Sequence, residues 1–216
     1  VDGIILFEEN INQEINPRSI PLLIYGAASD RPIRYPIIDP NHELAMFEAI
    51  KYLVKLGHKN ISYIGNLSKT DPMQIEKYKG FIKAMNYFGL SVNTCNVVDT
   101  CGLSWYDGYR AISELMCTNK LPSAILSGSY DISGGIIRGL KERNIEIPND
   151  VSLISYDNIP QMENMEVPLT SIGVPIEKLA FEIVQTIIEL AESGNMEPKV
   201  KKLKPELSER NSCKSV

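Results

Sequence analysis

Short runs that are apolar almost from end to end alternate along this chain with longer stretches of helical period. The runs at 1–6, 20–25, 33–38, 61–64, 97–98, 124–127, 151–155, 169–174 and 200–207 read as strands, most of them near-continuous in Val, Ile and Leu. The stretches 44–56, 71–87, 105–116, 132–143 and 175–190 repeat apolar residues every three or four positions, which predicts helices. A strand with no polar face must be buried on both sides, as strands are in a parallel sheet covered by helices. Strands separated by helices of roughly 10–15 residues form βαβ units. The fold class is therefore α/β, with mostly parallel sheets flanked by helices. Punctuation agrees: Asp39 or Asn41 can cap the first helix, Asp71 with Pro72 the second, and Gly57, Gly89 and Gly194 mark helix ends.

Composition narrows the function. No stretch of about 18 apolar residues occurs, so nothing is expected to span a membrane. Net charge is −5, and the basic residues are scattered apart from Lys199, Lys201, Lys202 and Lys204. Such a surface does not grip a phosphate backbone unaided. Cys95, Cys101, Cys117 and Cys213 are irregularly spaced, and His42 and His58 lie far apart. Free thiols in a reducing cytosol are expected, and neither a metal nor a cofactor. There is no nucleophile elbow and no phosphate-binding loop, and Gly134-Gly135 lacks a dinucleotide-binding frame. No catalytic constellation is visible. The start at Val1, inside a strand-like run, reads as a fragment that has lost something before it.

Ligands of open α/β sheets sit beyond the carboxyl ends of the strands. That directs attention to Phe7-Glu8, Gly26-Ala27, 68–70, 128–131 and Asp157-Asn158.

Seven stretches, in order, resemble the lactose/galactose-repressor (LacI/GalR) family. They are Val1-Asp2-Gly3-Ile4-Ile5-Leu6; Leu56-Gly57-His58-Lys59-Asn60-Ile61; Lys77-Tyr78-Lys79-Gly80-Phe81; Leu121-Pro122-Ser123-Ala124-Ile125; Ile147-Pro148-Asn149-Asp150-Val151-Ser152 with Ser155-Tyr156-Asp157-Asn158; Pro168-Leu169-Thr170-Ser171; and Leu207-Ser208-Glu209-Arg210-Asn211-Ser212-Cys213. Together they cover essentially the whole chain. The resemblance implies a periplasmic-binding-protein-like fold of two lobes with a ligand cleft between them. One lobe would hold 1–38 plus 161–193, and the other 39–160 plus 197–213, with crossovers near 35–39, 157–169 and 194–199. It also implies that a helix-turn-helix head, a hinge and the first two βα units of the N-terminal lobe are missing.

The family supplies candidate ligand residues. Asp157 matches its cleft aspartate, able to accept from neighbouring sugar hydroxyls; the alternative is a turn aspartate. Lys77 stands where the family carries an arginine, and a lysine is not equivalent to that forked donor; the alternative is an exposed helix lysine. Ser129, Tyr130 and Asp131 stand at the expected mouth of the cleft, where Tyr130 could stack and donate and Asp131 accept, or Asp131 could cap the next helix. Trp105 could stack on a pyranose or simply pack on its helix. Phe7 could face the cleft or the core. Gly26 replaces a family aspartate, which removes one hydroxyl partner.

The resulting expectation is the effector domain of a cytoplasmic, homodimeric repressor. It would bind a sugar or glycoside between its lobes and alter operator binding through the missing head. A periplasmic sugar-binding protein of a transporter is the first alternative, and a sugar-processing enzyme the second.

Overall fold

The computed structural model of the chain describes residues 2–7, 20–28, 33–92, 96–117 and 121–216. Their strands form two sheets. The smaller holds β1 (Ile4–Phe7), β2 (Leu22–Tyr25), β3 (Ile37–Asp39) and β9 (Val200–Lys202), in that spatial order and all parallel. The larger contains β4 (Ile61–Gly65), β5 (Val97–Asp99), β6 (Ala124–Ser127), β7 (Ser152–Asn158), β8 (Thr170–Pro175) and β10 (Glu206–Ser208). Its spatial order is β10-β8-β7-β6-β4-β5, and only the β10–β8 pair is antiparallel.

Alternation along the strands assigns the helices to faces. Ile61 and Tyr63 of β4, Leu126 of β6 and Ile154 of β7 point to one side, where α1 (His42–Lys55) and α2 (Pro72–Tyr87) bury Met46, Ile50, Phe81 and Met85 against them. Ile64, Ile125 and Leu153 point to the other side, against Ile112, Ile136 and Leu140 of α3 (Trp105–Met116) and α4 (Tyr130–Lys141). The last helix, α5 (Ile176–Ser193), lies on the smaller sheet, with Ile183 against Leu23 and Ile38. Asn41 caps α1 in the left-handed region at φ 57°, accepting from Leu44 N, and Asp71 caps α2 as expected.

Helices α3 and α4 touch backbone to backbone. A Cβ on Gly135 would fall 2.0 Å from the Trp105 carbonyl oxygen, and one on Gly108 2.1 Å from that of Ile132. The Arg-x-Ser ending also acquires a reason. Arg210 Nη1 donates to Leu169 O (2.8 Å) and Ser171 Oγ (2.9 Å). Ser212 Oγ accepts from Thr170 N and donates to Leu153 O, so the tail closes the gap between β7 and β8.

The lobe boundaries expected from sequence need correction. β8 was assigned to the first lobe, within 161–193, but it pairs with β7 in the larger sheet. Likewise β9, expected in the second lobe, pairs with β3 in the smaller. The chain therefore crosses at 40–41, between Pro175 and Ile176, and at 203–205. β8, buried on both faces, carries no mark of which sheet it will join, and neither does the three-residue β9, so each later crossover was misplaced by about one element. The strand expected at 200–207 is two short ones, β9 and β10, split where Leu203 and Pro205 are buried in passing. Val1, Glu8 and Cys95 lie outside the described residues.

Candidate ligand-binding cleft

In the larger sheet the chain runs from β4 outward to β5, then restarts on the other side of β4 at β6. That reversal opens a crevice beyond the strand ends, the usual seat of a ligand in such sheets. Gly65 and Gly128 stand there. Gly128 N donates to Ile64 O (2.8 Å), and a Cβ on Gly128 would lie 3.1 Å from the Gly65 Cα.

Lys77 reaches this point from α2. It is not an exposed helix lysine: the residue is 6% exposed. Its Nζ donates to Gly128 O (3.0 Å) and sits 4.0 Å above the Tyr156 ring centroid. Burial pushes its pKa down, and the charges of Asp157 and Asp71 work against that. The Tyr156 hydroxyl shares a hydrogen bond with Nδ1 of His42, the first residue of α1. Burial, and then the Lys77 charge, hold the imidazole well below its usual pKa, so it is neutral. Its Nε2 is buried without a partner among the described residues.

This neutral histidine has a consequence for stability. Below the ordinary histidine pKa of about 6.5 the unfolded chain takes up a proton that the folded chain refuses, so stability falls as pH drops. Thermal unfolding followed from neutral pH to about pH 5 should show that loss, and His42→Gln should show less of it. An unchanged acid slope in the variant would assign the loss to other groups, His58 among them, whose pKa burial also lowers.

Asp157, the next-to-last residue of β7, lies in the left-handed region at φ 81°, within a register shift between Tyr156 and Asn158. Its Oδ2 accepts from Tyr130 N (3.1 Å). Tyr25, at the end of β2 in the other lobe, is pushed up to about 12 by burial first and then by the charges of Asp157 and Asp39. Phe7 stands edge-on to Tyr25 with centroids 5.4 Å apart and is 67% exposed, so it is not a core residue. Asp157, the Tyr130 backbone and Lys77 on Gly128 thus gather at the strand ends of one lobe, and Tyr25 of the other lobe, with Phe7 against its ring, lies near enough to feel the Asp157 charge.

The remaining candidates have these surroundings. Ser129 caps α4, its Oγ accepting from Ile132 N and its carbonyl from the hydroxyls of Ser127 and Ser133. Asp131 is therefore not the cap; it is exposed on the first turn. Trp105 stacks on Tyr109 (5.5 Å, 5°) and rests against α4 at Gly134. Its packing alternative is what the helix pair provides.

A family profile described as "Periplasmic binding protein-like domain" matches residues 50–213. The chain belongs to that family. It is 32% identical to the HTH-type transcriptional repressor PurR of Pasteurella multocida (strain Pm70), over 100% of this chain and 65% of that protein. It is 26% identical to catabolite control protein A of Priestia megaterium, over 99% of this chain and 65% of that protein. Among solved structures it is similar to a putative transcriptional regulator LacI from Bacillus cereus subsp. cytotoxis NVH 391-98, at 25% identity and TM-score 0.88, covering 100% and 77% of the two chains. The domain spans about two thirds of the length of the curated relatives it matches. By sequence and by fold it stands with the effector domains of LacI/GalR regulators, as the seven motifs implied.

Sequence reasoning missed Tyr25, Tyr156 and His42. Tyr25 and Tyr156 immediately precede Gly26 and Asp157, which were singled out, and a count one residue back along each strand would have found them. Nothing local flags His42, which meets Tyr156 across 114 positions of sequence.

Proposed function

We propose that this domain binds a small polyhydroxylated ligand, a sugar or glycoside, between its lobes and thereby tunes DNA binding by a longer repressor. The observation that carries this is the buried Lys77 on Gly128 O, over the Tyr156 ring, with Asp157 the next residue along β7, all at the strand ends of the larger sheet. Lys77 has N–H groups left after bonding Gly128 O, and Asp157 has acceptor capacity left after Tyr130 N. A donor and an acceptor fixed side by side suit neighbouring hydroxyls, and exposed Phe7 offers an apolar ring.

In this reading the ligand favours one lobe arrangement by binding it better, and a coupling of about 1–3 kcal/mol changes operator occupancy several-fold or more. Operator contact belongs to a head outside this chain, and the working unit is a cytoplasmic homodimer that catalyses nothing. Kinship with transcriptional repressors supports a regulator over a transporter's binding protein. Among the described residues no helix is long and apolar enough to cross a membrane.

A thermal-shift panel of sugars, glycosides and purines tests the ligand class. A ligand at about 100 times its Kd should stabilise the fold by roughly 2.7 kcal/mol, a rise of a few degrees. A hit among purines alone would keep the regulator and remove the sugar. No hit would remove the ligand-binding claim.

A further inference from the structure

Two of the three crossovers are held at one residue. Asp39 is fully buried; its Oδ1 accepts from Asn41 N (2.7 Å), its Oδ2 from Ala28 N (3.2 Å), and its carbonyl from Leu203 N (2.8 Å). The first of these bonds holds the crossover at 40–41, the second the loop after β2, and the third the crossover at 203–205. The Lys202 ammonium lies 3.6 Å from the same Oδ2.

Beside this clamp is a cavity of about 280 Å³ lined by Lys202 of β9, by Asn41 and Glu43, and by Glu76 and Lys83 of α2. It joins a strand of the small sheet to the helices of the large one. Lys83 is already committed, holding both oxygens of Glu43 at 2.8 Å. Glu76 has no ion partner among the described residues, although Lys202 shares its cavity. We propose that Glu76 is a proton-gated latch on the hinge: ionised, it draws the Lys202 ammonium away from Asp39, and protonated, it leaves Lys202 on the clamp.

The physical case has three parts. The Lys202 head is a point charge on a flexible stem with its side chain 55% exposed, so exchange between two carboxylates costs little rearrangement. The groups around Glu76 are Asp39 and Lys202 from the crossover strands, Glu43 from α1, and Lys79 and Lys83 from its own helix. Burial first, then Asp39 and Glu43, push its carboxyl up to about 7, with Lys202 and Lys79 opposing. A change of charge therefore falls in the neutral range, apart from His42 and His58, both held below their usual values. A shift in the clamp changes the relative population of lobe arrangements whatever the cleft binds.

The test is a carbon NMR titration of the Glu76 carboxyl between about pH 5 and 9, read beside the amide shifts of Asn41 and Leu203. Both amides bond Asp39. All three signals should move with one midpoint near 7. In Glu76→Gln the two amides should lose that step. In Lys202→Met, Glu76 should titrate higher still, because a cation that lowers its pKa is gone, and the amides should cease to follow it. A Glu76 midpoint in the ordinary range of about 4–5 would overturn the proposal. So would an unchanged step at Asn41 and Leu203 in either variant. Should Glu76→Gln not fold, wild type against Lys202→Met decides alone.

Discussion

Gly135→Ala is expected to destabilise the fold by about 3 kcal/mol or more. Its Cβ would fall 2.0 Å from the Trp105 carbonyl oxygen and 2.4 Å from Tyr109 N. Both are backbone atoms of α3, so relief requires the two helices to part. Ala is the better helix former by about 1 kcal/mol, but that gain cannot offset a backbone overlap of this size. Gly134→Ala is the internal control. Its Cβ would meet the Trp105 ring edge at 3.0 Å, and that side chain is 46% exposed and able to give. It should stay within about 0.5 kcal/mol of wild type. Urea unfolding of the pair measures the difference, and equal effects would show that α3 and α4 are not in backbone contact.

Asp157→Asn is expected to keep the fold and lose the ligand. Asn tolerates the left-handed region, and its side-chain oxygen can still accept from Tyr130 N, so unfolding should shift by less than about 1 kcal/mol. Hydrogen bonds to a charged acceptor contribute about 1.5–3 kcal/mol, so affinity for a panel hit should fall roughly 10- to 100-fold. Calorimetric titration of wild type and variant with the same hit gives the affinities, and urea unfolding of the two gives the stability difference. Equal affinity would remove Asp157 from the site, leaving its φ of 81° without a functional reason.

Much of the fold was legible because the chain states its periods plainly. The two-faced apolar runs marked the strands, and the caps at Asp71 and Asn41 marked helix starts. Lobe membership of β8 was not legible, since Ile172 would be buried equally well in either sheet, and the three residues of β9, two of them exposed lysines, are too few to show a side. At the site, Asp157 could be found from its position at a strand end. The role of Lys77 could not, because its burial depends on Tyr156 and Gly128, 79 and 51 positions away. His42 looked like an isolated histidine for the same reason. Residue type made Asp131 a candidate cap, whereas Ser129 starts the helix two residues earlier and leaves Asp131 exposed.

The most direct test of ligand binding between the lobes is an amide chemical-shift map with the strongest hit of the panel. Perturbed amides should fall on both sides of the cleft: Phe7 and 25–28 from the smaller sheet, and 128–130 with Asp157 and Asn158 from the larger. Perturbations confined to one lobe, or clustered at the cavity beside Glu76 and Lys202, would contradict the account.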